Sequence, residues 1–276
     1  MKNNELKFNS PTFLQRIKGM LGVDFYRLFH TPLFYIFLGV AAIIPALVSM
    51  GYQTTDPVTG QITGSTLDNI WIMVAGTKPI YVISDIAEYA NMNMVFIFGG
   101  IMVSIFIGHD YKSGYVKQLF TAHAKKEDYM ISKTLSCAFA MTCMCLTYLI
   151  GTIGAGIFLQ ASFKVNVGSL IIAILGKMIM SLGWASLYTF LNIIFRRYFG
   201  ISIASSFFFG TGILIIGVAA IVGNSPILNL FLYGSSVYAC LSSNIVALFV
   251  CLGVSILWMI IYNILGTIVL YRSDVY

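Results

Sequence analysis

Read as apolar and polar positions, the chain is a series of long apolar blocks divided by short wet segments. The first ten residues form a polar tail. From Pro11 the pattern turns helical: Leu14, Ile17, Leu21, Phe25 and Leu28 recur at spacings of three and four, the period of one helix face. Ser10 before Pro11 supplies an N-cap and a first helical position. Arg16, Lys18, Asp24 and Arg27 take the remaining faces, which predicts an amphipathic helix over 11–30 lying in the plane of a membrane. Continuous apolar runs then predict six spans at about 33–52, 91–108, 133–160, 170–195, 199–222 and 244–271. Such runs reach the roughly 20 residues that cross a bilayer core of about 30 Å. Pro45 falls inside the first span, where a helix in lipid tolerates it.

The segments between the spans differ in character. Residues 53–90 read as a long outer loop with Asp56, Asp68, Asp85 and Glu88 against a single base, Lys78. Its middle, NIWIMVAGTKPIYVIS, is apolar but broken at Lys78-Pro79, and reads as an interfacial piece with Trp71 and Tyr81 as belt residues. A short outer turn carries Lys164. Residues 223–243 form an outer re-entrant or interfacial element, because a helix over 227–243 reaches only about 25 Å and no charged turn precedes the last span. The fold class is all-α: one polytopic helical transmembrane domain over 1–276.

Composition agrees and charge adds direction. Hydrophobic residues make up 58% of the chain and charged residues 9%, against roughly 25% charged in a soluble domain. Thirteen of the sixteen Lys and Arg fall on the side of the two termini, 109–132 and 196–198, and this bias places both termini in the cytoplasm. The net charge of +6 is thereby accounted for without nucleic acid. Lys177 stands nineteen residues before Arg196, about 28 Å along a helix. It reads as snorkelling at the outer interface, with a substrate contact as the other reading.

Catalytic chemistry is not written in this pattern. There is no G-x-x-x-x-G-K-[ST] phosphate loop, no H-E-x-x-H, and no carboxylate, arginine or histidine at evident membrane depth. The chain is therefore expected to hold no catalytic residue, cofactor or metal of its own. A proton- or sodium-coupled secondary transporter is disfavoured by the same absence. One segment does concentrate charge. Eight of the 26 charged residues fall between His109 and Lys133, beginning with GHDYKSGYVKQLF at 108–120.

That segment, Asp110-Tyr-Lys-Ser-Gly114-Tyr-Val-Lys117 followed by QLFTAHAKKEDYMISK, has the D/E-x-x-x-G-x-x-K form. With the amphipathic first helix, six spans and the Tyr271-Arg-Ser-Asp274 ending, it resembles the ABC-2 type ABC-transporter permeases, of the compact bacterial kind associated with peptide or drug export and bacteriocin immunity. Those permeases usually carry Glu at the position of Asp110 and Thr at that of Tyr115. The resemblance implies a multi-pass subunit of the bacterial cell membrane, paired with a second permease copy or paralogue and two copies of a separate ATPase subunit that holds the ATP and magnesium. It makes 110–124 a coupling segment for the ATPase, with Asp110, Tyr111, Gly114, Tyr115, Lys117 and Phe120 as its residues. Asp110 is then expected to complement the dipole of a short helix, and Tyr111, Tyr115 and Phe120 to anchor in a pocket. The substrate implied is amphipathic or hydrophobic: a peptide, a drug or a lipid-like compound. Tyr148, Trp184, Tyr188, Tyr262, Asn192 and Asn263 are candidates to line its path, or else serve as lipid belt and helix packing. A non-transporting sensor or scaffold that engages an ATPase, and a membrane enzyme without a recognisable motif, are the alternatives.

Overall fold

A computed structural model describes residues 11–51, 53–55, 62–65, 83–122, 124–158, 167–223, 226–241 and 245–272. Among these, α1 is Phe13–His30, α2 Pro32–Gly51, α3 Ile83–Lys112, α4 Tyr115–Thr121, α5 Lys126–Phe158, α6 Val167–Ile194, α7 Phe199–Gly223, α8 Leu232–Leu241 and α9 Ile245–Arg272. A turn of 3₁₀ helix, Pro226–Leu230, precedes α8. The described residues are almost wholly helical. Among them, four helices are long and apolar enough to cross a membrane, over Met94–Lys112, Lys126–Ala155, Ile174–Ile194 and Ile245–Arg272. A fifth crossing is possible if α1 and the start of α2 count as one bent span.

Several boundaries depart from the apolar pattern. The amphipathic helix starts at Phe13 with Thr12 as its N-cap, two residues later than Ser10–Pro11, and Gln15 Oε1 accepts from the Thr12 N–H at 2.9 Å. The outer segment holds a two-stranded antiparallel hairpin, β1 Gln53–Thr55 and β2 Ile62–Ser65, which is a small exception to an all-α chain. The second apolar helix begins at Ile83, so Asp85 and Glu88 lie on its first turns and not in a loop. The tail 1–10, the apolar stretch with Trp71, Lys78 and Tyr81, and the turn with Lys164 lie outside the described residues.

Local chemistry explains how α1 meets α2. Thr31 precedes Pro32, and the proline ring drives the residue before it out of the helical region. Thr31 is accordingly extended, at φ −96° and ψ 121°. Its hydroxyl donates to the Arg27 carbonyl at 2.6 Å, closing α1, and Pro32 opens α2 at a position where a missing N–H costs nothing. The two helices diverge by 66°. Phe25 and Phe29 of α1, Phe34 of α2 and Phe139 of α5 fill the elbow edge to face, with Phe25–Phe139 centroids 5.0 Å apart.

α6 is the centre of the bundle, packed against α3, α5, α7, α8 and α9. Its Ser181, Gly183, Ala185, Ser186 and Thr189 keep neighbouring backbones close, the usual means of packing helices where lipid gives no hydrophobic preference. Ser255 of α9 inserts at this point: the Gly183 N–H donates to its Oγ at 2.9 Å, and the same hydroxyl donates to the Ile179 carbonyl at 2.7 Å. Nearer the charged end, Asn192 Nδ2 donates to Ser104 Oγ (3.0 Å), Ser104 pairs with Ser206 (2.7 Å), and the Ser202 hydroxyl donates to Asn192 Oδ1. These neutral bonds tie α3, α6 and α7. The 3₁₀ turn and α8 form a short element that α6, α7 and α9 hold. Trp184 Nε1 donates to Ser236, Tyr233 OH to the Phe209 carbonyl, and Trp258 Nε1 to the Leu230 carbonyl.

α5 and α2 approach closely, and a Cβ on Gly151 would collide with the backbone of Ala42. Gly154, one turn on, has open space around it. Gly151→Ala is expected to lower the melting temperature of the purified chain by the equivalent of about 1–3 kcal/mol. Gly154→Ala is expected to leave it unchanged or raised. Equal melting curves for the two variants would rule out this contact.

Candidate functional site: a buried charge cluster beside a short wet helix

Gly114 ends α3 and starts α4. It sits in the left-handed region at φ +73°, the natural stop of a helix, and its N–H donates to the Tyr111 carbonyl at 3.2 Å. Its own carbonyl accepts from the Gln118 N–H, which begins the next helix. The wet segment between spanning helices is thus shorter than 109–132: α3 runs on to Lys112, α5 begins at Lys126, and α4 lies between.

Asp110 therefore stands in the last turn of α3, not at the start of the short helix. The expected dipole role is corrected by its surroundings. The carboxylate is fully buried, with Oδ1 2.5 Å from Arg27 Nη2 of α1 and Oδ2 2.5 Å from Lys133 Nζ of α5. These are close ion pairs without in-line hydrogen-bond geometry. Lys133, also fully buried, lies 2.5 Å from Asp24 Oδ1 of α1, and Ser132 Oγ donates to Asp24 Oδ2 at 2.6 Å. Two carboxylates and two cations from three helices so form one neutral cluster. The charge of any one member is tolerable only because the others are there.

Aromatic rings roof the cluster. Tyr115, the first residue of α4, faces Arg27 at 4.2 Å and Lys133 at 5.5 Å from its ring centre, and Phe106 faces Lys133 at 4.7 Å. Burial pushes the Tyr115 phenol above its ordinary pKa, with the Asp24 carboxylate adding to the shift, so the ring stays neutral under the cations. Around the cluster lie two further clasps. Arg16 Nε of α1 meets Asp128 Oδ2 at 2.6 Å. Lys126 donates to the Leu270 carbonyl at 2.6 Å and Glu127 accepts from Tyr271 OH at 2.8 Å, docking the end of α9 on the start of α5.

Of the six coupling candidates, only Lys117 is exposed. Asp110 is in the cluster, Gly114 makes the turn, and Tyr115 lies against the cations. Tyr111 and Phe120 pack inward on Val116, Tyr129 and Met130, with the Phe120 ring 5.6 Å from Tyr129. The three aromatics hold α4 to its own bundle. Its open flank is Lys117, Gln118, Thr121 and Ala122, which line a cleft. At this end of the molecule Asp24, Asp110 and Asp128 are buried, Glu127 is half-buried, and Lys18, Lys112, Lys117 and Lys125 are exposed.

The proposed path residues lie inside the packed bundle. Tyr148, Trp184, Tyr188 and Asn192 are buried, with Tyr188 OH donating to the Phe96 carbonyl at 3.0 Å. Asn263 Oδ1 accepts from Thr134, and Tyr262 stacks between Phe190 and Trp258. Within one chain these side chains make packing contacts. Lys177 is only 7% exposed, and its ammonium lies 5.6 Å from the centre of the Tyr148 ring. Among the described residues, no three His, Cys, Asp or Glu come together as a metal site. The chain matches no family model and no curated protein.

Sequence reasoning passed over Asp24, Arg27 and Lys133 as site residues. A signal was present: Asp24 falls on the stripe Ile17, Leu21, Leu28, the face that a membrane-surface helix keeps apolar. Lys133→Met is expected to cost about 3–5 kcal/mol of stability, since it leaves two carboxylates against one cation in a buried site. Lys117→Met, on the wet flank, is expected to stay within about 0.5 kcal/mol. A melt in which both variants match the parent chain would count against the cluster.

Proposed function

We propose that this chain is the transmembrane permease subunit of an ATP-binding-cassette transporter of the ABC-2 type. In this reading α2 and α7 join the four apolar helices as spans, giving six, and both termini face the cytoplasm. α1 lies in the membrane plane, and the 3₁₀ turn with α8 forms the outer re-entrant element. A separate ATPase, two copies per complex, supplies ATP hydrolysis, and a second permease copy or paralogue completes the path. The substrate is amphipathic or hydrophobic, and export is the direction.

The observation that supports this most is α4 itself. It is a short helix at the wet end of an apolar bundle, set off by a left-handed glycine, seated through Tyr115 on buried charges that join three neighbouring helices, and open on the flank of Lys117. A loop whose only task is to connect α3 with α5 has no need of a buried four-charge anchor. A mechanical input does, because a push on α4 must move the helices and not merely bend the turn. The chain carries no phosphate loop with which to power that push. The exposed Lys112, Lys117 and Lys125 call for an acidic surface on the ATPase.

Detergent co-purification from the native membrane tests the assignment. The tagged parent chain is expected to bring down an ATPase subunit. Gly114→Pro, which forces φ near −65° where +73° is needed, and Lys117→Glu, which reverses charge on the flank, are each expected to lose at least about nine-tenths of it. Undiminished recovery with both variants would remove α4 as the docking element. A recovered ATPase whose hydrolysis no substrate stimulates would favour the non-transporting scaffold.

A further inference from the structure

Two of the four charges in the buried cluster, Asp24 and Arg27, sit three residues apart on α1, so they share a face of one helix. In the observed arrangement they do not pair with each other. Asp24 crosses to Lys133 of α5 and Arg27 crosses to Asp110 of α3. The remaining contact, Lys133 with Asp110, joins α5 to α3 without α1. The same four charges therefore have a second neutral pairing. Asp24 can bond Arg27 along α1, and Asp110 can keep Lys133 between α3 and α5.

We propose that α1 is a detachable latch, held to the α3–α4–α5 corner by crossed ion pairs and released by exchange of partners, with no charge left uncompensated in either state. Uncompensated charge is what ordinarily makes a buried pair expensive to open. Here the chemistry removes that barrier, because release separates two neutral halves. The clasp between Arg16 and Asp128 fits the same logic. Asp128 stands in the first turn of α5, where the helix's own N–H groups favour a carboxylate without a partner. The outward face of α1 is already apolar, with Leu14, Val23, Tyr26 and Phe29 exposed, so a released helix stays seated in the membrane surface.

The state of the latch reaches α4 through Tyr115. Its ring lies against Arg27 when α1 is docked and keeps only Lys133 when α1 leaves. Release thus loosens the first residue of the short helix while Asp110–Lys133 still holds the corner. The latch is a property of the fold and stands whether or not an ATPase docks on α4.

A double-mutant cycle on the full-length chain in detergent separates a latch from simple reinforcement. Asp24→Asn leaves two cations against one carboxylate, and Arg27→Gln leaves two carboxylates against one cation. Each is expected to lower the melting temperature by at least about 5 °C. The double variant Asp24→Asn/Arg27→Gln leaves the neutral Asp110–Lys133 pair and is expected to lose less than about 2 °C, less than either single change. Spin-label distances between Gly22→Cys on α1 and Ile150→Cys on α5, in a chain with its native cysteines replaced, report docking directly. The docked distance is expected to dominate the parent, and a second population is expected to grow at least about fivefold in the double variant. Losses that add in the double variant would overturn the proposal, and so would a stable double variant whose distance distribution matches the parent.

Discussion

An ammonium enclosed in protein must have its charge answered on the spot, and Lys133 is enclosed on every side. That requirement organises the end of the bundle where α1, α3, α4 and α5 meet. One carboxylate would neutralise it, but Lys133 has two, Asp24 and Asp110, and the surplus negative charge is answered in turn by Arg27. Four charges on three helices form the smallest closed set that the contacts allow. Once α3 and α5 are placed by Asp110–Lys133, the turn between them is constrained at both ends. Gly114 then supplies the one backbone conformation that lets α4 fit. Position of the short helix, attachment of α1 and the inward turn of the acids all descend from that single neutrality condition.

The consequence for the surface is a separation of sign. With Asp24, Asp110 and Asp128 drawn inward, what faces water around α4 is lysine. A basic rim is ordinary on the wet side of a membrane protein. Its excess here has a structural cause: Asp24 and Asp110 are held in the cluster and Asp128 is paired with Arg16. A macromolecule that docks on α4 meets a mainly cationic surface, with the half-exposed Glu127 at the start of α5 as its acid, which favours an acidic partner and raises the rate of its encounter.

The helices were legible in the sequence because each apolar run is continuous and ends at a charge, a proline or a glycine. The run from Ile245 to Arg272 and that from Phe199 to Gly223 match their expected limits within a residue. What escaped the pattern is instructive in physical terms. Charged residues on an amphipathic helix are conventionally assigned to water, so the pattern puts Asp24 and Arg27 on the remaining faces, when they neutralise Lys133 and Asp110, far away in the sequence. No local period encodes a pairing over 109 residues, such as Lys133 with Asp24. Asp110 looked like the start of a helix because the turn follows it, yet α3 continues for two more residues before Gly114 stops it. The aromatic candidates pack within the chain: Trp184 and Tyr188 lie in the buried core, and Phe120 packs against Val116, Tyr129 and Met130.

The middle of the bundle and its charged end are held by different chemistry, and the difference bears on where it can move. In the middle, Asn192 with Ser104, Ser202 and Ser206, and Ser255 between Ile179 and Gly183, make directional neutral bonds with fixed partners. Separating those helices leaves donors and acceptors unsatisfied in an apolar setting, where each costs about 1–3 kcal/mol. At the charged end, the partners are interchangeable and less directional, since Coulomb attraction asks for proximity and sign and not for alignment. A group of charges that can re-pair loses little on rearrangement, whereas a set of hydrogen bonds that cannot re-pair loses nearly all of its energy. On the latch proposed above, motion is expected where the charges are, at the joint of α1 with the α3–α4–α5 corner, while the hydrogen bonds among α3, α6 and α7 hold those helices together.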